Sequence, residues 1–203
     1  MTRTFSDNQY PDALIAGAPF STAMLAIRAR LQEAFAAVPD MSHEIMVPRP
    51  TKSDWDAMTR RMPMCAIGWQ TMTPSDQVGQ IFEGELVFPV FLLTRQPTRE
   101  RQYLGDGRAP GLLGMVSIAI RMLHAFTIPD VGTCKVRHAG SALEIDWIAQ
   151  DIAMAVLAVS IPNVSFDDAA LAAQLDDFLQ LGETFAVDGA DLPQTVVNVR
   201  GDE

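Results

Sequence analysis

Apolar positions along this chain recur in two rhythms, and each predicts its own kind of element. Met24, Ile27, Leu31, Phe35 and Val38 are three or four residues apart, which is one face of a helix. Arg28, Arg30, Gln32 and Glu33 fall mostly off that face. Ser21 is the expected N-cap, and Pro39-Asp40 the stop. The same rhythm predicts a second helix from Gly111 to Phe126, with Leu112, Met115, Ala119, Met122, Leu123 and Phe126 as its stripe. A third helix is expected from Asp167 and Asp168 to Gly182, burying Leu171, Leu175, Phe178 and Leu179. Its acidic opening suits the positive end of the helix dipole. Lys52 to Arg61 reads as a short helix carrying Trp55 and Met58, capped by Ser53.

The second rhythm is β-type. Glu44–Val47 is a short strand candidate closed by Pro48 and Pro50, and Met64–Trp69 a brief apolar run of a buried strand. Thr73-Pro-Ser-Asp76 has turn chemistry. Val78 to Thr94 reads as a long strand or a bent hairpin arm, alternating most strongly from Leu86. Gly79 and Gly84 mark expected bulges, and Pro89 an edge position or a break. Between Ile128-Pro-Asp-Val-Gly132, which stops the second helix, and Ile161, three strands are expected. They are Cys134–His138, Ala142–Trp147 and the alanine-rich Ile152–Ile161, with Ala139-Gly-Ser141 as a hairpin turn. Thr195–Val199 is a last short strand candidate.

These elements imply an α+β fold, a mixed or antiparallel sheet with a meander, packed against two main helices and followed by a C-terminal helix. Residues 1–18, punctuated by Pro11 and Gly17, read as an N-terminal arm; 19–182 as one α+β domain; 183–203 as an acidic tail. Residues 95–110 form the longest internal stretch without a core pattern, a polar loop of a length that is usually functional or mobile.

Composition narrows the function classes. Apolar residues make up 48% and charged residues 20%, the balance of a globular protein rather than a disordered one. No apolar run reaches the roughly 18–20 residues that span a bilayer. The start, Met1 to Asn8, has no basic segment leading into an apolar one, so no secretory signal is expected. Cys65 and Cys134 stand alone, which argues for buried thiols in a reducing compartment rather than a disulfide scaffold. The net charge of −10 disfavours tight binding of nucleic-acid phosphate; the closest approach to a basic run is Arg99-Glu-Arg101.

Candidate chemistry is sparse. There is no phosphate-binding glycine loop ending in Lys-Ser or Lys-Thr, and Gly105-Asp-Gly107 reads as a plain turn. His43, His124 and His138 are isolated, so no metal-ligand spacing occurs; His124 suits a core edge or an interface. No Gly-x-Ser-x-Gly nucleophile signature is present. Asp167-Asp168 and Asp176-Asp177 read as solvated helix faces. Glu83 and Glu85 project to one side of a strand, a weak candidate for a divalent ion. The methionines, Met24, Met58, Met62, Met64, Met72, Met115, Met122 and Met154 among them, read as gap-fillers on core faces. No catalytic residue, metal or cofactor is expected.

The order of elements carries a resemblance. A helix precedes a strand containing Ala-Ile-Gly-Trp, then a long strand ends Phe-Pro-Val-Phe-Leu-Leu-Thr-Arg. A polar loop leads to Gly-Leu-Leu-Gly-Met-Val-Ser-Ile-Ala-Ile-Arg-Met-Leu-His-Ala-Phe, and a meander runs on to Leu175-Asp-Asp-Phe-Leu179. Over residues 20–182 this resembles the Mu-like phage and prophage tail-protein family, which is similar in layout to the tail terminators of long-tailed phages. The resemblance implies a structural protein, assembled in the host cytoplasm and carried in the virion tail. Tail terminators form a ring, commonly a hexamer, that caps the tail tube and joins it to head-completion proteins. The implied partners are copies of this chain, the tube protein and a neck protein, with DNA passing through the ring and no membrane. Other readings are a different neck or tail component of similar fold, or a small ligand-binding or enzymatic domain whose site assembles only in three dimensions. Arg95, Arg99, Arg101, Tyr103, Asp106 and Arg108, in or beside the 95–110 loop, are the candidate contacts with a neighbour.

Overall fold

The computed structural model describes residues 17–46, 51–75, 82–141 and 151–166, with two two-residue strands at 186–187 and 190–191. The chain divides into two units, Ala18–Phe166 and a second made of Met1–Gly17 with Asp167–Glu203.

The first helix, α1 (Phe20–Ala34), buries Ala23, Ile27 and Leu31, the face its spacing predicts. Its cap is Pro19, however, not Ser21. Proline has no N–H to leave unsatisfied and its ring angle already suits a first turn. Strand β1 (Ser42–Ile45) begins two residues earlier than expected. Helix α2 (Lys52–Thr59) is capped by Thr51 in place of Ser53: Thr51 and Asp54 form a reciprocal capping box. Strands β2 (Met64–Ile67) and β3 (Thr71–Pro74) follow, so Thr73 and Pro74 extend a ladder where a turn was expected. Then come β4 (Glu83–Arg95), α3 (Arg99–Leu104) and α4 (Leu112–Leu123). Two-residue strands β5 (Thr127–Ile128) and β6 (Gly132–Thr133) pair with each other. The long hairpin arms β7 (Lys135–Ser141) and β8 (Ile152–Ser165) complete the unit. In the second unit β9 (Ala186–Val187) and β10 (Ala190–Asp191) pair antiparallel. The expected strand 142–147, the helix 167–182, the strand 195–199 and Gly79 lie outside the described residues.

The fold is α+β. The main sheet has the order β1-β2-β4-β8-β7, with β3 also on β4. Only β1–β2 is parallel; the other pairs are antiparallel. Leu86, Phe88, Val90 and Leu92 on β4 and Ala155, Leu157, Val159 and Ile161 on β8 share a buried cluster with α1 and α4. The opposite face is filled at one end by Met46, Trp55, Met64, Leu93 and Met154. Each such side chain removed from water contributes roughly 1.5–3 kcal/mol, so the sandwiching of β4 and β8 is what anchors the sheet.

Two strand expectations are corrected. Pro89 sits neither at an edge nor at a break but in the middle of the central strand. Its carbonyl accepts from Gly68 N–H at 3.0 Å, so its backbone faces the gap between β2 and β3. The β4 register moves by one residue there, from Ile67↔Val90 to Thr71↔Val87. The donor that proline lacks therefore falls where the ladder is already interrupted. The second correction concerns Ala139-Gly-Ser141, which continues β7 opposite Leu157, Val156 and Ala155 instead of turning. The register does shift beside Gly84, as expected, but the extra residue is on the partner strand: between Gly84 and Leu86 the single Glu85 stands opposite Pro162 and a left-handed Asn163 of β8.

Candidate assembly surface

The 95–110 segment is an ordered excursion between β4 and α4, with its short helix packed against α4 and β8. Thr98 caps α3 by accepting from the Arg101 N–H, which lets six residues form a helix where no core pattern predicted one. Gln102 is turned inward and donates to the Gln96 carbonyl at 3.2 Å. Beyond α3, Gly105 takes φ +74° and bridges Pro110, closing a tight loop. Inside that loop the Asp106 carboxylate accepts from the backbone N–H groups of Arg108 (2.8 Å) and Ala109 (3.0 Å). These two bonds, helped by the Arg101 and Arg108 charges, hold its carboxyl below the usual aspartate range. The base is tied by the Thr94 hydroxyl, which donates to the Pro110 carbonyl at 3.2 Å. A Cβ on Gly111 would overlap the backbone of Leu104 and Gly105, so only glycine lets the returning strand pass.

The six candidate contact residues are thus brought onto one body but serve different ends. Arg95 pairs with Asp151 at 3.1 Å and Arg101 with Asp106 at 3.6 Å. Asp106 is spent on its own turn. Arg99, Tyr103 and Arg108 are exposed. Leu104, 68% exposed, joins them and was not singled out by sequence. Nor were the anchors Thr94, Gln96 and Gln102. The one available signal was Thr98 three residues before Arg101, the spacing of a helix cap.

The outer face of the sheet carries a polar knot on β4, β8 and β7. Arg137 is the extra residue of a β7 bulge between Val136 and His138. The bulge aims its guanidinium at the Glu85 carboxylate (2.9 Å) and the buried Ser160 hydroxyl (2.9 Å). Hydrogen bonding from Ser160 and then Arg137 holds Glu85 below the usual glutamate range. Glu85 thereby spends its charge on arginine, against its reading with Glu83 as an ion ligand. Among the described residues no group of three or more His, Cys, Asp or Glu is placed to share a metal.

Cys65 and Cys134 are buried and unpaired; burial pushes their thiols up to about 12 and about 11, which suppresses the nucleophilic thiolate. His124 follows α4 and accepts the Val136 N–H at Nδ1. His43, partly buried beside Arg28, is held below the usual histidine range first by burial and then by that charge. No described helix is long and apolar enough to cross a membrane.

No family model matches this sequence, and no curated protein matches it. Among solved structures the chain is similar to one chain of a virion of a native gene transfer agent particle. That likeness has a TM-score of 0.41 at 10% identity, covering 74% of this chain and 97% of the other.

Proposed function

We propose that this protein is a structural component of a phage-type tail, acting as a tail terminator: a ring of copies that caps the tail tube and meets the head-completion proteins. In this reading the chain catalyses nothing and works by fixed contact surfaces. The observation that carries it is the ordered projection at 95–111, which presents arginine, tyrosine and leucine side chains from a body held by β4 and α4. A closed ring needs heterologous contacts, in which one surface of a copy meets a different surface of the next. An exposed segment tied by its own hydrogen bonds supplies one half of such a contact. The outer β7 edge is a poorer one, because Lys135, Arg137, His138 and a bulge discourage the addition of a further strand. The chain's net charge of −10 would let DNA move through a ring without sticking.

Negative-stain microscopy and mass in solution test this directly. Rings with a central hole, alone or on adding purified tail tube, are expected. A strict monomer that ignores tubes and binds a small metabolite would sink the proposal.

A further inference from the structure

The projection carries arginines of two kinds. Arg95 and Arg101 are used within the chain, on Asp151 and Asp106. Arg99 and Arg108 are exposed and make no ion pair among the described residues. Between them lie Tyr103, one helical turn beyond Arg99, and Leu104. A single exposed leucine means little. Leucine and tyrosine flanked by exposed arginines, on backbone tied by its own hydrogen bonds, have the make-up of an interface hot spot. The hydrogen bonds within the segment leave less conformational entropy to be lost on docking.

Charge says what would dock there. Residues 95–108 hold four of the chain's 15 Lys+Arg and only two of its 25 Asp+Glu. Asp106, one of those two, already accepts backbone hydrogen bonds. The rest of the chain is correspondingly acid-rich, so any copy offers carboxylates to this spot. Whole copies repel at long range, but physiological salt screens that beyond roughly 8 Å and leaves the local pairs. A DNA backbone has a far higher charge density than a protein surface, and it meets the same net −10.

We propose that Arg99, Tyr103, Leu104 and Arg108 dock onto a carboxylate-bearing surface of a second copy of this chain. This rests on the ring reading above and names the chemistry of its repeating contact. Guanidinium–carboxylate pairs set which surface is chosen, and Leu104 and Tyr103 exclude water from them.

The test compares self-association of the full chain with that of two double variants, Arg99→Glu/Arg108→Glu and Arg99→Gln/Arg108→Gln. Mass photometry across a range of salt concentrations provides the readout, with thermal melting as the control for folding. Both side chains are exposed, so melting is expected to stay unchanged. Wild-type assembly is expected to weaken as salt rises. The Glu variant is expected to lose at least about tenfold in association, and the Gln variant to lose less along with much of the salt dependence. Rings formed equally well by the Glu variant would overturn this contact while leaving the ring reading standing. A strictly monomeric wild type would overturn both. Arginine-dependent binding of duplex DNA with unaltered assembly would overturn it in favour of a phosphate ligand.

Discussion

The helix-covered sheet and the 95–111 projection sit next to each other in the chain and are held by different forces. The sheet is closed by non-directional burial: alternate residues from Leu86 to Leu92 on β4 and from Ala155 to Ile161 on β8 enter one apolar cluster with α1 and α4. The projection has few apolar anchors and is closed by directional bonds, from the Thr98 cap, Gln102, Asp106 and Thr94. Burial tolerates small errors in geometry, whereas hydrogen bonds fail when one partner is displaced. The core should therefore yield as one cooperative block and the projection bond by bond.

Phe88→Ala should break the core side of this contrast most strongly. Phe88 is fully buried on the central strand, and its loss is expected to cost about 3–5 kcal/mol, read as a lower denaturation midpoint for the whole Ala18–Phe166 unit. A drop under about 1 kcal/mol would show that β4 is not sandwiched as described.

Gly111→Ala attacks the projection at its base. The added methyl overlaps the Leu104 and Gly105 backbone, and overpacking of this sort costs about 1–3 kcal/mol. Protease cleavage within 97–108 is expected to accelerate. Deleting 97–108 outright should leave the core folded yet prevent assembly, since Thr94 and Pro110 already bring the two ends together. An insoluble deletion would mean that Gln102 and its neighbours belong to the core.

Acid should separate the two regions. The Asp106 carboxyl is depressed in the folded state, so its contribution is present above the ordinary aspartate range and is lost as pH falls through the folded value. Protection of the 105–110 amides against hydrogen exchange, relative to unstructured amides at the same pH, is expected to fall below about pH 4 before that of β4 does. Asp106→Asn should remove that pH dependence; if it persists, another group controls the turn.

The smallest effect is expected at Ala125, which leaves α4 with φ +64°. Ala125→Gly relieves left-handed strain and adds backbone entropy to the unfolded chain, for a net gain of about 0.5 kcal/mol. Destabilisation there would show that the methyl group packs.

Much of the fold was legible because periodicity is a local property. Ile27, Leu31 and Phe35 share a helix face wherever the helix goes, and all three are buried. Leu112, Met115, Ala119 and Leu123 behave alike. Alternation also identified β4, whereas the alanine-rich run of β8 is ambiguous by pattern and reads as a strand from the hairpin signals beside it; the isolated cysteines read correctly as buried thiols. The misreadings came where a local signal was answered from far away. Pro89 is a strand breaker locally but harmless opposite the β2–β3 interruption. Ala139-Gly140-Ser141 has turn chemistry, yet β8 supplies a full ladder for it to pair with. The candidate contact residues could be named from the sequence, but not which of them are already used within the chain, because Asp151 lies 56 positions from the Arg95 it pairs with.

The sequence alone determined which faces are apolar, where helices α1 and α4 run, and that positive charge gathers at 95–108. Each of those depends only on neighbours within a turn or a strand. The tertiary structure decided that β4 and β8 lie side by side at the centre, that a proline is tolerated there, and that a polar loop closes around a capped helix. Those outcomes depend on which hydrogen-bonding groups meet across long stretches of chain, and local pattern carries no record of such meetings.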